Sequence, residues 1–176
     1  ISGLGLAAGL AIPKLLKQQS PNVIRPPATV EPSLLLSLCS RCGSCNKVCP
    51  TGIIAPCTDT GNILLWMTPE VIFSSGYCLE TCNLCSVVCP TGAITLFDIR
   101  AKSRLFMGTA VIQLENCLLF NNTECVKCRE SCKYDAIEFV ARGNILNMTP
   151  VINKEKCTGC GACKVICPQS CIEISG

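Results

Sequence analysis

The stretch "CSRCGSCNKVCP", residues 39–50, carries four cysteines in the pattern C-x2-C-x2-C-x3-C, and a proline follows the last of them. The same pattern returns near the end of the chain as "CTGCGACKVICP", residues 157–168. Two further rows of four cysteines lie between these two, and successive rows start about 40 residues apart. A repeat of this length indicates that one supersecondary unit is duplicated along the chain.

The two middle rows depart slightly from the pattern. Row two, "CLETCNLCSVVCP" at 78–90, has one extra residue in its first gap. Row three, "CLLFNNTECVKCRESCK" at 117–133, has a seven-residue first gap, and Lys133 replaces the proline. Each row still supplies four thiols, because a longer loop can bring its next cysteine back to the same metal site. The sixteen cysteines of the rows are Cys39, Cys42, Cys45, Cys49, Cys78, Cys82, Cys85, Cys89, Cys117, Cys125, Cys128, Cys132, Cys157, Cys160, Cys163 and Cys167.

This spacing is typical of one kind of metal site. The run C-x2-C-x2-C-x3-C-P is the bacterial ferredoxin pattern, in which soft thiolates hold a [4Fe–4S] cluster and the fourth cysteine ligates a second cluster. The sequence therefore predicts four [4Fe–4S] clusters held by the sixteen row cysteines. Cys57 and Cys171 are left over, and we expect neither to be a ligand. Cys171 lies four residues after the last row cysteine, where row two has Ala93, so a small buried side chain is expected there.

Three other interpretations of the cysteines are weaker. Structural zinc usually binds two well-separated C-x2-C pairs, and a disulfide scaffold would not require four near-copies of one metal-ligand spacing. The first three thiols of row two also have the C-x3-C-x2-C spacing of radical enzymes. Such enzymes need a large barrel to enclose their substrate, and 176 residues are too few for one beside the other rows.

The exchange of fourth cysteines leaves two pairings of the rows open. Row one can pair with row two and row three with row four, or row one can pair with row four and row two with row three. Rows one and four share the regular spacing, and rows two and three are both irregular. Since rows related by pseudo-symmetry should have loops of equal length, we expect the nested pairing. It would join Cys39, Cys42 and Cys45 with Cys167, and Cys157, Cys160 and Cys163 with Cys49. It would likewise join Cys78, Cys82 and Cys85 with Cys132, and Cys117, Cys125 and Cys128 with Cys89.

Composition excludes several functions. The chain has 18 cysteines and no histidine, so His-ligated zinc, Rieske centres, c-type haem attachment and Ser-His-Asp triads are ruled out. A net charge of +3 is too small for a nucleic-acid-binding surface. There is no P-loop, and "GLGLAA" at 3–8 lacks the preceding strand and following acidic residue of a dinucleotide site. We expect an electron carrier with no catalytic residues and no bound nucleotide.

Between the rows lie short β-branched runs that predict strands at 93–97, 109–114, 136–140 and 171–174. From the third to the fourth cysteine, each row suits one helical turn. The sequence thus predicts an α+β protein, a duplicated bacterial 2[4Fe–4S] ferredoxin-like fold over residues 34–176. An apolar signal or anchor segment at 1–17 and a Pro-rich linker at 18–33 are expected to precede it.

The chain resembles the MauM/NapG-type ferredoxin proteins over nearly its whole length. The resemblance lies in "VIRPPATVEPSLLLSLCSRCGSCNKVCPTG" at 23–52, "GYCLETCNLCSVVCPTGAI" at 76–94, "MGTAVIQLENCL" at 107–118 and the long third row. It implies a four-cluster protein exported folded by the twin-arginine route. Such proteins relay electrons between a quinol-oxidising membrane protein and periplasmic redox proteins. The spare cysteines and the ferredoxin-like fourth row depart from the pattern.

The resemblance gives an expected location and expected partners. It implies the periplasmic face of the membrane, with attachment through the N-terminus or a complex. A quinol-oxidising membrane protein, and a c-type cytochrome or another redox subunit, would be the partners. Three alternatives remain open: the four-cluster subunit of a molybdenum or tungsten oxidoreductase, a cytoplasmic polyferredoxin, and a structural or metal-storage module that reversible reduction would exclude.

Overall fold

The computed structural model describes residues 23–59, 61–74 and 76–176. Its α-helices are short: α1 (Pro32–Leu38), α2 (Ser44–Val48), α3 (Leu84–Val87), α4 (Lys127–Glu130) and α5 (Ala162–Ile166). Three 3-10 helices span Ile63–Leu65, Ile99–Arg104 and Leu114–Asn116. The strands are β1 (Ile54–Pro56), β2 (Pro69–Val71), β3 (Thr109–Ile112), β4 (Ile137–Arg142), β5 (Asn144–Ile152) and β6 (Ile172–Ser175). The mixture of small helices and strands confirms the α+β class.

Helices α2 to α5 are the predicted helical turns of the four rows. In rows one and four the residue before the helix is glycine with a positive φ, Gly43 at 72° and Gly161 at 85°. This left-handed residue turns the cysteine loop into the helix at little steric cost. Every one of these helices ends before the fourth cysteine of its row. Helix α4 ends there too, although Lys133 stands where the other rows have proline.

The strands form three separate two-stranded antiparallel sheets, β1–β2, β3–β6 and β4–β5. The predicted strands at 109–114, 136–140 and 171–174 are confirmed with ends shifted by one or two residues. The predicted strand at 93–97 is wrong. Only Ile94 makes an isolated bridge, to Thr29, because its one neighbour is a short piece of the preceding arm rather than a full strand.

The sheets and helices divide between two parts of the chain, which we call the first half (23–105) and the second half (106–176). In the first half, α2 contacts α3 and β1 pairs with β2. In the second half, α4 contacts α5, and the remaining two sheets pack beside them. Buried apolar side chains from both halves form one continuous core, which includes Phe73 of the first half and Ile174 of the second.

The described part of the Pro-rich segment packs on the rest of the first half. The Ile24 carbonyl accepts a 2.8 Å hydrogen bond from Val71 N–H, and the Ala28 carbonyl accepts one of 2.9 Å from Thr95 N–H. The Pro26 side chain is fully buried. The expected apolar segment at 1–17 and the first residues of the linker, 18–22, lie outside the described residues. Within the described ranges, no helix combines the length and the apolar character that crossing a lipid bilayer requires.

Candidate iron–sulfur cluster sites

The row cysteines border four cavities, and each cavity combines the first three cysteines of one row with the fourth cysteine of another. In the first half, site I is lined by Cys39, Cys42, Cys45 and Cys89, and site II by Cys78, Cys82, Cys85 and Cys49. In the second half, site III is lined by Cys117, Cys125, Cys128 and Cys167, and site IV by Cys157, Cys160, Cys163 and Cys132. The structure thus gathers the sixteen row cysteines into four sets of four.

The fourth cysteines are exchanged between rows one and two and between rows three and four, so the nested pairing is wrong. Cys89, not Cys167, lies beside Cys39, Cys42 and Cys45. The physical reason is that rows adjacent in sequence pack their helices together, α2 on α3 and α4 on α5. Loop length was a poor guide, because the extra residue of row two stays within the loop between Cys78 and Cys82 and leaves the fourth cysteines where they are.

The donor set fits a cluster better than a single ion. In the described ranges, no three cysteine, aspartate or glutamate side chains converge closely enough to hold one metal ion. Instead, four thiols surround each cavity, as a cubane with four separate iron corners requires. Thiolates are also the donors that iron–sulfur clusters prefer. The residues present at each of the four sites therefore fit a [4Fe–4S] cluster.

The thiols differ in burial, and their pKa values follow. Burial raises the pKa of the Cys85 thiol to about 12, and it does the same for Cys163. Cys42 of site I is exposed, and hydrogen bonding, chiefly with Ser44, lowers its pKa to about 7. The sites at the middle of the molecule are therefore shielded from water, whereas one edge of site I is open to it.

Backbone and hydroxyl groups lie against several of the sulfur atoms. Ile94 N–H donates to Cys89 Sγ at 3.4 Å, and Ala136 N–H donates to Cys132 Sγ at 3.3 Å. Burial opposes ionisation of Cys89, but hydrogen bonds from Ile94 and Thr91 outweigh it and lower the pKa of the thiol. Hydrogen bonds to ligating sulfur stabilise added negative charge and are one means by which proteins set cluster potentials.

The two spare cysteines have different surroundings. Cys57 is fully buried, and its backbone bonds to Thr68 and Met67 at 2.8 Å each. Cys171 lines site III, with its Sγ 3.4 Å from Cys167 Sγ. Burial raises the pKa of Cys171 to about 12, and hydrogen bonding with Cys167 adds to the rise. Ala93 occupies the corresponding place at site I, so the fold accommodates a small side chain there without requiring a ligand.

The two halves meet where site II faces site IV, which sequence reasoning did not anticipate. Cys78 N–H of site II donates to the Cys160 carbonyl of site IV at 2.8 Å. The ring of Phe73 packs against Gly161 so closely that a Cβ there would lie 2.2 Å from Phe73 Cδ1. Tyr134 lines site IV. Burial raises its pKa to about 12, and the nearby Cys160 and Cys78 thiols add to the rise.

These contacts order the four sites in space as I, II, IV and III. Sites I and II share the exchanged cysteines of the first half, and sites III and IV share those of the second. The hydrogen bond between Cys78 and Cys160 joins the two pairs at their inner members. The Cys128 thiol of site III is also close enough to Cys163 of site IV to raise its pKa. The result is a continuous row of four thiol-lined cavities.

Comparison with known proteins identifies the chain as one that binds iron–sulfur clusters. The family described as "4Fe-4S binding domain" matches residues 34–55 and 150–173, which contain rows one and four. Over 153 residues the chain is 33% identical to the ferredoxin-type protein NapF of Haemophilus influenzae, covering 86% of this chain and 78% of that protein. The chain belongs to the family of ferredoxin-type proteins NapF, NapG and MauM.

Two further members of the NapF/NapG/MauM family match nearly the whole chain. NapG of Escherichia coli is 33% identical over 179 residues, covering 95% of this chain and 74% of NapG. MauM of Paracoccus denitrificans, a methylamine utilization ferredoxin-type protein, is 30% identical over 177 residues and covers 94% of this chain and 77% of MauM. The predicted family is confirmed, and the chain is an iron–sulfur protein of the ferredoxin type.

Proposed function

We propose that this protein relays single electrons through four [4Fe–4S] clusters, one held at each of sites I, II, IV and III in that order. The observation that carries the proposal is the continuous row of cavities, each lined by four thiols. A [4Fe–4S] cluster supplies one-electron chemistry when bound. A domain of about 140 residues has a radius of gyration of about 15 Å, so neighbouring sites lie close enough for single electrons to pass between them.

The chain's own contribution is to fix the sites and control access to them. The hydrogen bond from Cys78 to Cys160 and the contact between Phe73 and Gly161 hold the halves in one arrangement. Burial of Cys85 and Cys163 keeps water from the inner sites. Cys42 is exposed, and the exposed side chain of Met67 lines the same site. Site I is thus an end of the row that a redox partner can approach, and no substrate pocket is required.

The location and the partners are proposed from the similarity to known proteins rather than from the geometry. We infer that the protein works on the extracytoplasmic side of the membrane, between a quinol-oxidising membrane protein and a c-type cytochrome or another redox subunit. Attachment through the N-terminal segment, after export by the twin-arginine route, belongs to the same proposal. What supports it is similarity of about 30% to NapF, NapG and MauM over most of the chain.

The relay is tested by a redox titration of anaerobically purified protein. We expect reversible uptake of about four electrons per chain, one per cluster. Uptake of two or fewer electrons by protein with its full iron content would refute the four-site relay. For the location, the protein is expressed from its own gene in the native host. Protease added to spheroplasts should degrade it, whereas protection until the membrane is lysed would contradict an extracytoplasmic position.

A further inference from the structure

Lys102 is a buried cation that no part of the cysteine pattern accounts for. It belongs to the 3-10 helix Ile99–Arg104, and its side chain lines site II. The residue is only 4% exposed. Lysine is almost never buried to this extent unless its charge is satisfied, so the surroundings of its ammonium group call for a functional explanation.

The ammonium group points into the cysteine loop of row two. Lys102 Nζ donates to the Leu79 carbonyl at 2.5 Å and also to the Cys82 carbonyl. Its charge and a hydrogen bond oppose the rise in the Cys78 pKa that burial causes, and its charge has the same effect on Cys85. The acceptors are neutral carbonyls rather than a carboxylate, so the positive charge is not cancelled by an ion pair and acts on the thiols of site II.

The extra residue of row two lies in this same loop. The gap between Cys78 and Cys82 has three residues where rows one and four have two, and Leu79 lies within it. The longer loop provides one of the two carbonyls that bind Lys102, and Cys82 at its end provides the other. The irregular spacing and the buried lysine are therefore parts of one local structure.

Site II differs in this respect from the other three sites. Site I has Arg41 and Lys47 on its lining and site III has Lys127, but all three of these side chains are exposed. Charges at the surface are screened by solvent and salt, whereas a buried charge is screened much less. In the described chain, the lining of site IV contains no charged side chain. Lys102 thus gives site II the strongest uncompensated positive charge of the four.

We propose that Lys102 is a positioning residue that makes site II the highest-potential site of the row. A nearby cation stabilises the reduced, more negative form of a bound cluster over the oxidised form. The inference rests on the proposed function, since it presumes a cluster at site II. An electron that enters at site I would then come to rest at site II, directly beside the contact with site IV.

The test compares reduction potentials in the full chain with its clusters bound, followed by electron paramagnetic resonance. Lys102→Met removes the buried charge, and Lys102→Arg keeps it. Arg104→Met is the matched control, because it removes an exposed charge from the same 3-10 helix. In Lys102→Met we expect the equilibrium constant for reduction of one cluster to fall about tenfold or more, a shift of about 59 mV for one electron. Lys102→Arg and Arg104→Met should change it by less than about threefold.

The controls separate this inference from the proposed function. Wild-type protein without iron and sulfide would refute the cluster proposal itself. Full iron content in Lys102→Met with all potentials unchanged, or an equal shift in Arg104→Met, would overturn only the role of Lys102. If Lys102→Met loses its iron, the order of reduction in the wild-type protein tests the proposal instead. The paramagnetic resonance signal that Cys82→Ser alters is assigned to site II. In the wild type this signal must be the first to appear on reduction, and its appearance later would overturn the proposal.

Discussion

The pairing of the rows can be tested by counting intact clusters in double variants. Removing any one ligand should disrupt one of four clusters and leave about three intact. Cys49 and Cys82 both line site II, so Cys49→Ala combined with Cys82→Ala damages the same site twice and should still leave about three. Cys160 lines site IV, so Cys49→Ala combined with Cys160→Ala should damage two sites and leave about two.

Mössbauer spectroscopy of iron-57-labelled protein counts intact [4Fe–4S] clusters directly. The two single variants of each pair are the controls, since effects add only when the changed residues belong to independent sites. The nested pairing, in which Cys49 joins Cys160 rather than Cys82, gives the reverse result. Two intact clusters in the Cys49–Cys82 variant and three in the Cys49–Cys160 variant would refute the arrangement described above.

Three further outcomes are expected. In thermal or denaturant unfolding, Gly161→Ala should lower the free energy of unfolding by at least about 1 kcal/mol more than Gly143→Ala. Both glycines have a positive φ, but only Gly161 faces a packed aromatic ring. Equal losses of stability in the two variants would contradict tight packing between the halves. Cys171→Ala should keep its full iron content, and loss of one cluster would identify Cys171 as a ligand. After limited oxidative loss of clusters, iodoacetamide at pH 8 should label Cys42 before Cys85. A thiol reacts as its thiolate, which predominates above the pKa, and the pKa is about 7 for Cys42 and about 12 for Cys85. Mass spectrometry reads the labelling, and equal labelling would contradict the difference in burial.

The local features of the fold could be predicted from the sequence. Cysteine spacing constrains a few consecutive residues, so the helical turn of each row was predictable before the structure was known. The strands at 109–112, 137–142 and 172–175 follow from runs of β-branched residues. The run at 93–97 has a similar composition, but a strand also needs a neighbouring strand to pair with. Only the stretch around Thr29 lies beside this run, and it forms a single bridge to Ile94 rather than a strand pair.

The features that depend on distant contacts could not be predicted in this way. Which fourth cysteine reaches which site is decided by helix packing, and equal loop lengths do not encode that. Lys102 lies 20 residues after Cys82 in a separate 3-10 helix. No short sequence pattern around either residue therefore indicates that Lys102 lies beside site II. The contact between Cys78 and Cys160 joins residues that are close only once both halves have folded.

The central claim is that all four thiol-lined cavities hold a [4Fe–4S] cluster, and it is tested most directly by chemical analysis of iron and acid-labile sulfide. The protein should be purified anaerobically and its clusters fully reconstituted, with protein concentration determined by amino-acid analysis. Four complete clusters predict about sixteen iron atoms and about sixteen sulfides per chain. About eight of each in fully loaded protein would mean that only two of the four sites bind clusters, and would contradict the relay proposed here.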